Sequence, residues 1–158
     1  MAGIATDTKG RTIDRNGNGI ADELERYFDS KYVKDKRNAE QDYDLKSLIN
    51  EAYVNVYFDF NSKTPTLASA DGINFLVKYL NANPSATADV IGYADEIGSS
   101  AFNDNLSNER ATNIKQILVD AGISASRLNV VANGEDKSVN KDSKGARSIV
   151  RKVTFKIK

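Results

Sequence analysis

The sequence predicts an α/β (α+β) fold: a two-layer sandwich with helices on one face of a mixed sheet, preceded by an N-terminal loop-helix extension. Three observations predict it. Beyond about residue 50 the apolar residues switch between period two and helical spacing in the order β-α-β-α-β-β. The periodic stretches stop at turn signals such as Asn83-Pro84 and Gly122. The chain has 158 residues, 40% of them hydrophobic, enough for one sizeable core.

Residues 1–50 read as the extension and 51–158 as the main domain. In the extension, Leu24, Tyr27 and Phe28 have the spacing of a short amphipathic helix. Lys34 to Asp44 carries mixed charge and little apolar content, and reads as a linker. Leu45, Leu48 and Ile49 begin a short helix leading into the domain. YVNVYFDF then puts Val54, Val56, Phe58 and Phe60 on one face of a half-buried strand. Ile73, Phe75, Leu76, Val77 and Leu80 fit an amphipathic helix from Thr66 to Asn81, stopped by Asn83-Pro84. Ala88 to Tyr93 is a second strand. Asn103 to Ala121 is a second helix with a stripe of Ala111, Ile114, Ile117, Leu118 and Ala121, ended by Gly122. Arg127 to Ala132 is a third strand. Ile149 to Ile157 is a fourth, with Ile149, Val153, Phe155 and Ile157 alternating against Lys152, Thr154, Lys156 and Lys158.

Composition excludes whole classes of chemistry. With no histidine and no cysteine, the Ser-His-Asp and Cys-His mechanisms, His- or thiolate-ligated metals and disulfides are absent. A metal site would be all-oxygen, which favours calcium or magnesium. Lys plus Arg and Asp plus Glu both number 22, so the net charge is zero and gives no whole-molecule preference for nucleic acid. The basic stretch from Lys141 to Lys158 lacks interleaved aromatics and reads as a solvated strand face. No run of 18 apolar residues exists, and MAGIATDTKG lacks the pattern of a signal peptide, which fits a cytosolic protein, a mature chain or a fragment.

Two constellations carry chemistry. Asp14 to Glu25 has oxygen side chains at positions 1, 3, 5, 9 and 12 of a twelve-residue loop, with glycine at position 6. This is calcium-loop spacing, and Asp14, Asn16, Asn18, Asp22 and Glu25, with the Ile20 carbonyl, are the candidate ligands. Ile20 at position 7 resembles the thrombospondin type 3-like repeats found ahead of bacterial envelope domains. Such a calcium ion would be structural. The same residues also fit an Asn/Gly-rich turn with Asp22 capping a helix. The second constellation is Asp95, at the end of the second strand, and Arg110, on the following helix. At one edge of an α/β layer they would share a cleft. Arg offers a planar donor fork and Asp an acceptor pair, which together suit a zwitterionic amino-acid head. A structural salt bridge is the plainer alternative.

FDFNS, GYADEIG, Asn103, LSNERA and Gly134-Glu135 together resemble the OmpA-like domain, the peptidoglycan-associating module of outer-membrane proteins, lipoproteins and flagellar stators. The resemblance covers about Tyr53 to Lys158. It implies non-covalent binding of the peptide stem of peptidoglycan, without catalysis, through the amino-acid head of meso-diaminopimelate. Asp95 would take the ammonium and Arg110 the carboxylate. Asn103 would support the loop and line the pocket, and Asp59, Phe60 and Asn61 would line the cleft. The family's C-terminal Asn-Arg-Arg-Val reads Val150-Arg151-Lys152-Val153 here, so Arg151 matches and its neighbours differ. The resemblance further implies the periplasm of a Gram-negative bacterium, attachment to the outer membrane through a barrel or lipid anchor outside this chain, and possible homodimers. Both Asp95→Ala and Arg110→Ala are expected to abolish sedimentation with diaminopimelate-type peptidoglycan while leaving the fold intact. A calcium-dependent protein-interaction module of the envelope and a carboxylate-based cell-wall hydrolase are the rival readings.

Overall fold

The computed structural model describes residues 14, 17–22, 45–94, 99–135 and 151–158. Among them the elements run α1 (Leu45–Asn50), β1 (Asn55–Tyr57), α2 (Ala70–Ala82), β2 (Ala88–Ala94), α3 (Ser100–Asp120), β3 (Leu128–Glu135) and β4 (Lys152–Ile157). Short 3-10 turns, Leu67–Ser69 and Ala125–Arg127, lead into α2 and β3. The predicted helix around Leu24, Tyr27 and Phe28, the linker from Lys34 to Asp44 and the start of the fourth strand at Ile149 lie outside the described residues.

The four strands form one mixed sheet in the order β1-β4-β2-β3. The last strand inserts between the first two, antiparallel to both, with Val56 opposite Val153 and Val90 opposite Phe155. β2 and β3 are parallel, with Val90 opposite Val130, and α3 is the crossover that parallel pairing requires. Along β2 every second residue is buried and the others are half-exposed, so the helices cover one face. α3 packs across β2 and β3, α2 against β1, and α1 against β4. The α/β two-layer class predicted from periodicity is the one observed.

The core unites Val54, Val56, Leu76, Val90, Ile114, Leu118 and Phe155 with Ala21, Leu48 and Ile49 from the N-terminal side. The Asn50 side chain takes the Ile157 N–H (2.6 Å) and donates to the Ile157 carbonyl (3.2 Å), so it extends the contacts of β4 beyond the point where β1 begins.

Three details differ from the sequence expectation, each for a physical reason. The first strand ends early, because Asn61 adopts φ +56° and Ser62 N–H closes a turn on the Asp59 carbonyl at 3.0 Å. Phe60 therefore leaves the core face and is 55% exposed. α2 begins at Ala70 rather than Thr66, because residues 65–69 run along the outer edge of β1. Thr66 N–H donates to the Tyr57 carbonyl (2.9 Å), and the Ser69 hydroxyl accepts the Tyr57 N–H (2.8 Å). β3 continues to Glu135 because its pairing with β2 resumes, after an irregularity, at Ala94 opposite Glu135.

Candidate functional site

The buried face of α3 changes character along its length. Its second half presents Ala111, Ile114 and Leu118, as a core helix should. Its first half presents Asn103, Ser107 and Arg110, all fully buried. Ser99 caps the helix by accepting the Phe102 N–H (3.1 Å), and this fixes where the polar face begins.

Arg110 is the centre of the site. Its Nε donates to the Ser62 carbonyl (2.8 Å), its Nη2 to the Asp59 carbonyl (3.2 Å), and its Nη1 to the Tyr93 carbonyl (3.2 Å). Its guanidinium carbon stands 5.2 Å from the centre of the Phe58 ring. One side chain thus ties the turn after β1 to the end of β2. Arg110 is therefore a structural tie as well as a candidate site residue, so Arg110→Ala is expected to lower stability. The reason is geometric: two chain segments supply three carbonyls at one point, and only a planar donor fork can satisfy them together.

Around this centre the structure assembles much of the predicted set. The side chains of Asp59, Phe60 and Asn61 are exposed on the turn that Arg110 holds. The Arg151 guanidinium carbon lies 5.2 Å from the centre of the Phe60 ring, and the Arg151 carbonyl accepts the Phe58 N–H (2.8 Å). Lys152 Nζ lies 5.5 Å from the centre of the Tyr93 ring. Asn103 is buried on the face of α3 that carries Arg110, two turns before it. Asp95 lies outside the described residues. Sequence reasoning missed the groups that fix the rim from behind. Asn113 Nδ2 donates to the Lys63 carbonyl (2.8 Å), and Lys63 pairs with Glu109 at 3.5 Å. The spacing Glu109, Arg110, Asn113 on one helix could have suggested it. Their carbonyl partners had no side-chain signature to find.

The candidate cation loop lies on the far side of β1. The two Asp14 carboxylate oxygens accept main-chain N–H groups of Gly17 (3.1 Å) and Gly19 (2.9 Å). Ile20 forms an antiparallel bridge with Val54, and the bonds run through the neighbours, Asn55 N–H to Gly19 O and Ala21 N–H to Tyr53 O. Ile20 is therefore a non-hydrogen-bonded pair, and its own N–H and carbonyl face away from Val54. The N–H meets Asn18 Oδ1 at 3.0 Å. Carboxylate, amide and carbonyl oxygens are the donors a hard cation uses, so the described residues fit one. Asn16 and Glu25 lie outside the described residues. Among the described residues no three acidic side chains gather at one point. Burial pushes the Tyr57 hydroxyl above the usual tyrosine range, and the nearby Asp14 and Asp22 charges push the same way; a hydrogen bond with Asn55 opposes them.

Known proteins share this fold and part of this sequence. The family model described as the OmpA family matches residues 57–151. Outer membrane porin F of Pseudomonas fluorescens is 32% identical over 101 residues, which are 63% of this chain and 31% of that protein. The peptidoglycan-associated lipoprotein of Legionella pneumophila is 30% identical over 100 residues, 63% of this chain and 55% of that one. The chain thus matches less than two thirds of the length of either. Among solved structures, the peptidoglycan-associated lipoprotein from Burkholderia pseudomallei superposes with a TM-score of 0.61 at 22% identity, covering 66% of this chain and 89% of that one. The C-terminal domain of Helicobacter pylori MotB superposes with a TM-score of 0.58 at 16% identity, covering 65% and 81%. At these identities the superpositions establish the fold. Among the described residues no helix is long and apolar enough to cross a membrane.

Proposed function

The chain belongs to the OmpA family, and from that premise we propose that it binds peptidoglycan non-covalently and anchors an envelope protein to the cell wall. The ligand is the peptide stem, held at the zwitterionic head of its diaminopimelate residue. The observation that carries the reading is Arg110, a buried guanidinium held by three carbonyls where the β1 turn meets the end of β2. Such a cation is positioned before any ligand arrives, and little entropy is lost in ordering it. Under this reading the stem carboxylate is recognised by the Arg110 guanidinium. Asp95, two residues beyond the Tyr93 whose carbonyl Arg110 holds, takes the ammonium. Phe60, Asn61 and Arg151 form the outer rim, and Asn103 supports the site from the first turns of α3. The working location is the periplasm, with attachment to the outer membrane through parts of a longer protein.

Sedimentation with purified peptidoglycan tests this. Asp95→Ala should remove binding to diaminopimelate-type walls, and free meso-diaminopimelate should compete. Equal pull-down of the parent and Asp95→Ala proteins refutes the reading. A second element of the proposal is a structural calcium ion held by Asp14, Asn16, Asn18, Asp22, Glu25 and the Ile20 carbonyl. It is favoured by the Asp14 carboxylate already gathering Gly17 and Gly19 N–H groups around it. When bound, the ion would fix the loop and neutralise its carboxylates. Calorimetry with calcium in the millimolar range is the direct test. Under this reading residues 1–50 are the cation-loop extension and 51–158 the wall-binding domain.

A further inference from the structure

The loop from Asp14 to Asp22 meets the rest of the protein through main-chain hydrogen bonds and through Ala21, which is buried in the core. Gly19 O accepts the Asn55 N–H (2.6 Å), and Asn18 O accepts the Gly72 N–H at the start of α2 (2.9 Å). The Asn55 carbonyl is wedged between two glycines. A Cβ on Gly19 would stand 2.0 Å from it, and a Cβ on Gly72 2.4 Å. A side-chain bond also crosses the junction, from Asn18 Nδ2 to Asp71 Oδ2 at 3.1 Å. By taking the NH2 end of the amide, Asp71 fixes Asn18 Oδ1 on the loop side, against Ile20 N–H. Asn55, 5% exposed, also keeps a buried oxygen, Oδ1, that has no hydrogen-bond partner among the described residues.

We propose that the α/β domain completes the cation loop. Asp71 is a positioning residue that turns the Asn18 amide oxygen toward the ion, and the Gly19–Asn55–Gly72 clamp fixes the loop main chain. Ion binding and docking of the loop on β1 are then one linked equilibrium. The inference rests on the calcium reading above and deepens it. An outer group that orients a ligand typically changes metal affinity when removed, and linkage makes the effect reciprocal: the ion must strengthen the docking by the factor by which docking strengthens the ion. Docking also covers the outer edge of β1, where the main chain of Tyr53 and Asn55 faces away from β4.

The experiment combines calcium titration calorimetry with amide hydrogen exchange on the full chain. Calcium should slow exchange at the Ala21, Asn55 and Gly72 amides by about tenfold relative to EGTA, while Val90 in the central strand changes little. Asp71→Ala should weaken calcium binding about three- to tenfold, the range for loss of one hydrogen bond. Asp71→Asn, which keeps an acceptor for Asn18, should recover most of it. Asp71 is exposed at the helix start, so both variants should fold. Calcium binding with unchanged exchange at the three amides, and unchanged affinity in Asp71→Ala, overturns this inference and leaves the calcium reading standing. Equal weakening by Asp71→Ala and Asp71→Asn overturns the positioning role, because charge alone would then explain it. Absence of any binding heat overturns both.

Discussion

Replacing Arg110 tests how far one side chain serves both fold and ligand. In Arg110→Ala the carbonyls of Asp59, Ser62 and Tyr93 lose their charged donors together, and Phe58 loses its stacked cation. A hydrogen bond to a charged group is worth about 1.5–3 kcal/mol, and a desolvated cation–π contact up to about 2 kcal/mol. These terms do not add, since water enters the vacated space and the turn relaxes, so a net loss of about 3–5 kcal/mol is expected. At about 3 °C per kcal/mol for a chain of this size, the melting temperature should fall by about 9–15 °C. Arg110→Lys keeps the charge but not the fork, and should lose about 1–3 kcal/mol. The assay is thermal unfolding by circular dichroism, followed by peptidoglycan sedimentation well below the melting point of each variant. Both variants should fail to sediment with the wall while folded. A melting temperature for Arg110→Ala within about 2 °C of the parent would mean that the carbonyl clamp contributes little, and the reasoning would be wrong.

Three further outcomes follow from other contacts. A Cβ on Gly92 would stand 2.0 Å from the Ser107 carbonyl, so Gly92→Ala should lift α3 from β2 and cost about 2–4 kcal/mol, read as a lower urea midpoint. Asn113→Ala frees the Lys63 carbonyl from its 2.8 Å bond; stability should drop by about 0.5–1 kcal/mol, and wall binding should weaken several-fold in a quantitative pull-down. Tyr57 holds its proton more tightly when folded than when unfolded. Its stabilising contribution is therefore complete below the ordinary tyrosine value near pH 10 and is lost as pH rises beyond it, at about 1.4 kcal/mol per pH unit. Urea titrations from pH 9 to 11 should show a shallower decline in Tyr57→Phe; identical slopes would contradict the burial of this hydroxyl.

What was legible in the sequence is what side-chain identity encodes. The class of the fold followed from periodicity, and the boundaries of β2 and α3 differ from expectation by one to three residues, the start of α3 because Ser99 caps the helix ahead of its apolar stripe. Strand order was not legible, since an alternating strand such as β4 fits equally well at an edge or between β1 and β2, and only pairing decides. The displacement of Phe60 from the core face was hidden for a similar reason. Period two ran on through Asp59 in the sequence, whereas the chain turned at Asn61 for main-chain reasons.

The candidate site repeats that division and explains why half of it was visible. Asn103, Ser107 and Arg110 occupy positions of α3 that face the sheet, where a helix built only for packing would carry apolar residues. That break in the stripe is readable from sequence, and it is what sets this helix apart from α2, which buries Gly72, Leu76 and Leu80 on its core face. The partners of Arg110 are carbonyl oxygens 17 to 51 residues away, and every residue has a carbonyl, so no residue type announces them. The same holds at the cation loop, where Gly19 and Gly72 matter for the Asn55 oxygen they admit. In both places the side chains name the chemistry, and the main chain of a distant segment decides whether it is held in place.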